Sequence, residues 1–244
     1  MSSVVDPAVA APVTPAAVPA APAPTAPAIV VNGKIRLPAG LVDLEAFRAW
    51  ARENRPEGAR VSWLAGEIWI EVGMEQAFSH NDVKSEINGV LRVLVKTSRQ
   101  GRYFSDGMLL GNPDVGLSTI PDGLYVSVAA VESGRVRLLP GRSGGCVEVQ
   151  GSPDMVLETV SDSSAREDTQ EMPELYRRAG ITEFWRVDAR GELRFEILRL
   201  TAEGYAPTQE PDGWWHSPVF GRRFRLVRQP GALGEPECTL EVRE

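Results

Sequence analysis

The sequence predicts an α/β (α+β) domain with a central mixed β-sheet flanked by helices. Three observations point there. One long segment, "QAFSHNDVKSEINGVLRVLVKTSRQG" (76–101), carries apolar residues at helical spacing: Val83, Ile87, Val90, Leu91, Leu94 and Val95. Short β-branched and aromatic runs recur on both sides of it, bounded by Gly and Asp-Gly turns. A second, shorter helical segment interrupts those runs near residue 175, so strands and helices interleave along the chain.

The elements follow in order. The first 28 residues, "MSSVVDPAVAAPVTPAAVPAAPAPTAPA", are an Ala/Pro repeat that forbids a helix and offers no packing volume. They lack a basic start and a continuous apolar run, so they read as a disordered tail rather than a signal peptide. No export signal is read, which favours the cytoplasm. "VDLEAFRAWAREN" (42–54) spaces Leu44, Phe47, Trp50 and Ala51 for one helical face. "ARVSWLAGEIWIEV" (59–72) is a hairpin turning at Ala65-Gly66. The long helix follows, capped by Ser79 or Asn81 and stopped by Gly101. "RYFSDGMLLG" and "STIPDGLYVS" read as strands, and "VESGRVRLLPGRSGGC" (131–146) as a surface excursion. "CVEVQG" and "DMVLETV" are strands, "TQEMPELYRRAG" a short helix ending at Gly180, and "ITEFWRVDA" with "GELRFEILRL" a strand pair. The aromatic, turn-rich C-terminus adds short strands. The expected division is a tail over 1–33, one domain over 34–230 and an extension over 231–244.

Composition narrows the chemistry. The 244 residues are 43% apolar, enough for one sizeable core. The net charge of -7 removes bulk attraction to nucleic acid and leaves only local basic surfaces. Two such groups stand out: Lys84, Arg92, Lys96, Arg99 and Arg102, then Arg222, Arg223, Arg225 and Arg228. Cys146 and Cys238 lie too far apart for a zinc motif, and His80 and His216 are the only histidines. Any metal is therefore a hard cation held by oxygen. No run is long and apolar enough for a membrane span.

Two carboxylates carry the functional signal. Glu158 sits inside the apolar strand "MVLETV", where an uncompensated charge costs several kcal/mol. Asp122 follows Pro121 at the start of another apolar strand. On neighbouring strands the two converge on one divalent cation, Mg²⁺ or Mn²⁺, which compensates the buried charge. Each has an ordinary alternative. Pro-Asp opens turns, and Glu158 pairs equally well with an arginine such as Arg178 or Arg186. His80 reads as lining a helix start.

The combination resembles the Uma-type restriction endonucleases of the PD-(D/E)XK nuclease superfamily. The resemblance runs from about Leu44 to Val227 and is carried by "GEIWIE", "SHNDVKSEINGVL", "GRYFSDGMLL", "IPDGLYVS", "GSPDMVLETVSDSS" and "ELYRRAGITEFWRVDARGE". It implies a restriction-endonuclease-like core, with Asp122 as the aspartate of the Pro-Asp motif and Glu158 as the acidic residue of (D/E)XK. It implies Mg²⁺-dependent phosphodiester hydrolysis, DNA as partner, and is compatible with a homodimer; no methyltransferase partner can be inferred. The superfamily lysine falls two residues beyond Glu158, at Val160, and is absent. The resemblance places a substitute on the following helix, where Arg166, Glu167, Met172 and Pro173 stand. Arg166, Arg177 and Lys84 are the candidate cations in that order, and Arg166 completes the expected catalytic set. Two readings stay open: an active endonuclease, or an impaired nuclease-fold module that binds nucleic acid.

Overall fold

The computed structural model describes residues 28–31, 35–54, 59–72, 76–162, 167–232 and 234–244. Most of the expected Ala/Pro tail lies outside them, as does Arg166. The described chain begins with β1 (Ala28–Val31), which pairs antiparallel with β2 (Ile35–Pro38). Helix α1 (Leu44–Glu53) is capped by Asp43, whose carboxylate accepts the Ala46 amide at 2.8 Å. Its apolar stripe buries Phe47 against Val61 and Trp63.

The hairpin β3 (Ala59–Leu64) and β4 (Glu67–Val72) turns where the sequence expects. Ala65 and Gly66 both take positive φ, 50° and 102°, the conformation of a two-residue turn matched to strand twist. A π-helical turn, Ala77–Asp82, then runs straight into α2 (Val83–Ser98). Neither Ser79 nor Asn81 caps α2, because the preceding turn already continues its backbone path. Gly101 does not stop it either. Arg99 takes the left-handed position (φ 55°), and its amide bonds the Val95 carbonyl. Gly101 instead opens β5 (Gly101–Ser105), where a Cβ would come within 2.3 Å of the Val126 carbonyl.

Strands β6 (Leu109–Asn112), β7 (Leu117–Thr119) and β8 (Gly123–Ser127) lead to the short α3 (Val128–Glu132). The expected surface excursion is half strand: β9 (Val136–Pro140) pairs with β10 (Cys146–Gly151), and Val136 is buried. Its Arg and Gly residues masked the alternation. Strand β11 (Met155–Thr159) is buried throughout. A second π-helical turn, Glu167–Glu171, enters α4 (Met172–Arg178), and Gly180 ends that connection with φ 71°. There follow β12 (Glu183–Asp188), β13 (Arg194–Thr201), β14 (Gly204–Pro207), β15 (Trp215–Ser217), β16 (Arg222–Pro230) and β17 (Pro236–Arg243). The segment expected as an extension supplies β17, which pairs with β16 and places Leu240 and Cys238 in the core against α2.

Two six-stranded sheets dominate, ordered β4-β3-β7-β6-β10-β9 and β14-β13-β12-β11-β8-β5. In the second, β11 and β12 are parallel and joined through α4, a crossover that parallel pairing requires, while β8 runs antiparallel to β11. Alternation sorts its faces. Met155, Leu157 and Tyr125 pack under α2 with Trp185 and Phe224. Val156, Leu124 and Val126 face Tyr176 of α4, together with Leu64, Leu110 and Leu117 of the other sheet. The three-stranded sheet of β15, β16 and β17 is tied down by Glu183, which accepts from Ser217 Oγ at 2.7 Å, the Val219 amide at 2.8 Å and Trp185 Nε1 at 2.9 Å.

A candidate active site between the two sheets

Asp122 and Glu158 have the same parity as the residues facing α4 and the other sheet. Leu157 pairs with Gly123, so the next step of the antiparallel register sets Glu158 opposite Asp122. Both are buried, at 0% and 1% exposure. The sequence expectation of neighbouring strands and one face matches this geometry.

What lies between them is a guanidinium. Arg60 of β3 donates to Asp122 Oδ1 at 2.7 Å and lies 3.5 Å from Glu158 Oε2. Its Nε is 3.8 Å from Glu71 Oε2. The arginine alternatives for Glu158 do not hold in this form: Arg178 is exposed, and Arg186, in register with Glu158, pairs with Glu196. On its other oxygen Glu158 accepts a hydrogen bond from the Tyr176 hydroxyl. The Thr159 amide donates to Asp122 Oδ2 at 2.7 Å, so the strand carrying Glu158 also fixes Asp122. The Asp122 carbonyl accepts from Asn88 Nδ2 at 3.2 Å, and Asn88 in turn accepts from Tyr103 at 2.6 Å.

Lys84 joins from the first turn of α2. Its Nζ is 3.7 Å from Asp122 Oδ1 and 3.5 Å from Asp106 Oδ2, and the residue is buried. His80, in the preceding π-helical turn, sets Nε2 3.8 Å from Asp122 Oδ2. Burial pushes the Asp122 carboxyl up, but Arg60, Lys84, His80 and the Thr159 amide outweigh it and hold the group below the usual aspartate range. Burial, reinforced by the charge of Asp122, pushes the Tyr103 phenol well above its ordinary value.

The expected cations fare differently. Lys84, last of the three candidates, reaches Asp122. Arg177 is exposed on α4 and pairs with Glu174. Arg166 lies outside the described residues. Residue-by-residue reading missed Arg60 and Glu71. A signal existed: a two-residue turn at Ala65-Gly66 fixes the register that places Arg60 opposite Glu71.

The donor set suits a hard divalent ion in kind. Mg²⁺ takes one or two carboxylates and completes its octahedron with water or phosphate oxygens. Among the described residues no group of three or more His, Cys, Asp or Glu side chains is placed to hold a metal ion, so protein ligands from this set number at most two. Asp122, Glu158, Glu71 and Asp106 against Arg60 and Lys84 sum to a formal charge of −2 (four negative, two positive). The Arg60 guanidinium lies within ion-pair distance of both carboxylates that would hold such an ion.

Two packed sheets with a carboxylate pair on adjacent strands at their seam define a nuclease-type α/β domain with a restriction-endonuclease-like core. The model of the family described as "Uma2: Putative restriction endonuclease" matches residues 44–227, and the chain belongs to that family. Among solved structures it is similar to one from Anabaena variabilis described as "a putative nuclease belonging to DUF820". That similarity has a TM-score of 0.56 at 19% identity and covers 74% of this chain and 91% of the other. No curated protein matches. No helix among the described residues is long and apolar enough to cross a membrane.

Proposed function

We propose that this chain hydrolyses phosphodiester bonds of DNA with Mg²⁺ or Mn²⁺ held by Asp122 and Glu158. The observation that carries the reading is the meeting of two buried carboxylates, opposite each other in register, on a single guanidinium with Lys84 at their side. When bound, the ion lowers the pKa of an associated water and neutralises charge on the phosphate. The chain's own groups do the positioning. The Thr159 amide and the Tyr176 hydroxyl lock the two carboxylates in orientation. Lys84 takes the part of the lysine missing at Val160: its ammonium lies within ion-pair distance of Asp122 and steadies negative charge developing on the scissile group.

DNA as substrate draws support from α2. Arg92, Lys96, Arg99 and Arg102 are exposed and make no ion pair among the described residues. Lys84 and Lys96 are twelve residues apart, about 18 Å along the helix, the length of roughly five base pairs. The other basic group is already engaged: Arg223 binds Glu210, Arg225 binds Glu241, and Arg228 donates to the carbonyls of Gly191 and Ala189.

The second reading, a module that binds nucleic acid without cutting, is favoured by Arg60 standing at the ion's place. Plasmid DNA incubated with the full chain and Mg²⁺, Mn²⁺ or EDTA separates the two. Nicking with either ion, abolished by EDTA and by Glu158→Gln, supports the endonuclease. Salt-sensitive binding with no nicking in either ion supports the module.

A further inference from the structure

Arg60 stands within ion-pair distance of both Asp122 and Glu158. We propose that Arg60 is an exchangeable place-holder: its guanidinium occupies the spot shared by Asp122 and Glu158 and withdraws toward Glu71 when a divalent ion binds. This deepens the nuclease reading and rests on it.

Four observations converge. First, two carboxyl groups at 0% and 1% exposure stay ionised together only with a cation beside them, and in the metal-free fold Arg60 is placed to supply it. Second, the grip is uneven. Arg60 makes one ideal bond to Asp122, at 2.7 Å, and a stretched contact of 3.5 Å to Glu158. Third, a second berth is within reach. Glu71 lies directly across the hairpin, its Oε2 is 3.8 Å from Arg60 Nε, and Ser161 Oγ holds its Oε1 at 3.0 Å. Rotation about side-chain torsions transfers the guanidinium without moving β3. Fourth, the Arg60 side chain keeps 16% of its surface exposed, against 0% and 1% for the two carboxylates, so the way out leads toward solvent.

The consequence is competition. Ion and guanidinium carry the same sign and claim the same oxygens, so each weakens the other's binding by the same factor. Removing Arg60 therefore tightens the ion; since loss of any neighbouring positive charge acts in the same direction, the displacement itself is read from the Arg60 Nε–Hε signal in the wild type. Lys84, anchored between Asp122 and Asp106, stays where it is.

The test is calorimetric titration of Mn²⁺ alone into the full-length wild type, Arg60→Met and Arg60→Lys, each with and without Asp122→Asn. The expected result is about tenfold tighter binding or more in Arg60→Met, a smaller gain in Arg60→Lys, and loss of the gain when Asp122→Asn is added. If Arg60→Met does not fold, Arg60→Lys and one wild-type measurement decide. The arginine Nε–Hε NMR signal absent from Arg60→Lys must shift on adding Mg²⁺ to the wild type; a signal that stays fixed at saturating Mg²⁺ overturns the proposal. Wild type that binds Mn²⁺ and cleaves DNA, beside Arg60 variants that bind no tighter, overturns the place-holder and leaves the nuclease reading standing. No Mn²⁺ binding by any of the proteins overturns both.

Discussion

Among the described residues, carboxylates are buried beside arginines at Glu148 and at the Asp122–Glu158 pair, and the two are built differently. Glu148, on β10, is wholly buried and gripped twice: by Arg48 Nε at 2.7 Å and by Arg52 Nη1 at 2.8 Å. Gly111 lies so close above it that a Cβ there would come within 2.2 Å of Oε1. One carboxylate faces two guanidiniums, and Glu45 adds a 3.1 Å contact to Arg48 from the surface. At Asp122 and Glu158 the count is reversed. Two buried carboxylates share one guanidinium; neutral donors, the Thr159 amide and the Tyr176 hydroxyl, hold them closely, while the other charged contacts, from Arg60 to Glu158 and from Lys84 and His80 to Asp122, stretch to 3.5–3.8 Å. A closed cluster with balanced charge serves the fold. An open one with excess negative charge and slack contacts is suited to receive a cation. Both incur the cost of desolvating charge, and the first offsets it with two close guanidiniums on one carboxylate.

The same substitution at the two glutamates breaks this comparison most sharply. Glu158→Gln should lower DNA cleavage by about 10³-fold, because one of the two ion ligands loses its charge. Its unfolding free energy should move by less than about 1 kcal/mol, since Gln keeps the Tyr176 hydrogen bond and relieves like-charge crowding. Glu148→Gln should do the reverse. Urea unfolding should show a loss of about 3 kcal/mol or more, as buried Arg48 and half-buried Arg52 lose their shared partner. Specific activity of whatever remains folded should be unchanged. Equal stability losses at both positions would erase the distinction.

Lys84 sharpens the account of the open cluster. Lys84→Gln should reduce cleavage by about 10²-fold with DNA affinity lowered only modestly. A wild-type rate would transfer the phosphate-facing role away from α2. The smallest effect concerns acid. Asp122 has a depressed pKa in the folded state, so its stabilisation is complete above the ordinary aspartate value and is lost as pH falls through the depressed one. Asp122→Asn should remove that part of the acid dependence, measured as unfolding free energy against pH. A variant whose acid limb superimposes on wild type would mean that Asp122 is not held low.

Much of this was legible in the sequence. The apolar stripe of Val83, Ile87 and Leu91, the hairpin at Ala65-Gly66 and the strands bearing Asp122 and Glu158 all follow from local periodicity, which burial on a sheet enforces. The family was legible by resemblance, carried by segments such as "IPDGLYVS" and "GSPDMVLETVSDSS", and the family model matches residues 44–227. What sequence reading missed was non-local. Arg60 precedes Asp122 by 62 residues and belongs to the other sheet, so nothing in its neighbourhood marks it as the partner of Glu158. Lys84 precedes Asp122 by 38 residues on another element, so its nearness to that carboxylate is hidden in the sequence. The end of α2 was misplaced for a different reason: Arg99 accepts a left-handed conformation that glycine normally supplies, and Gly101 is required for close strand approach instead.

The most direct test of the central claim is anomalous diffraction from crystals of the full chain soaked in Mn²⁺. The account predicts one strong peak within ligand-bond reach of both Asp122 and Glu158, with the Arg60 guanidinium displaced toward Glu71. A structure at full Mn²⁺ occupancy elsewhere, with Arg60 still bridging the two carboxylates, would contradict it.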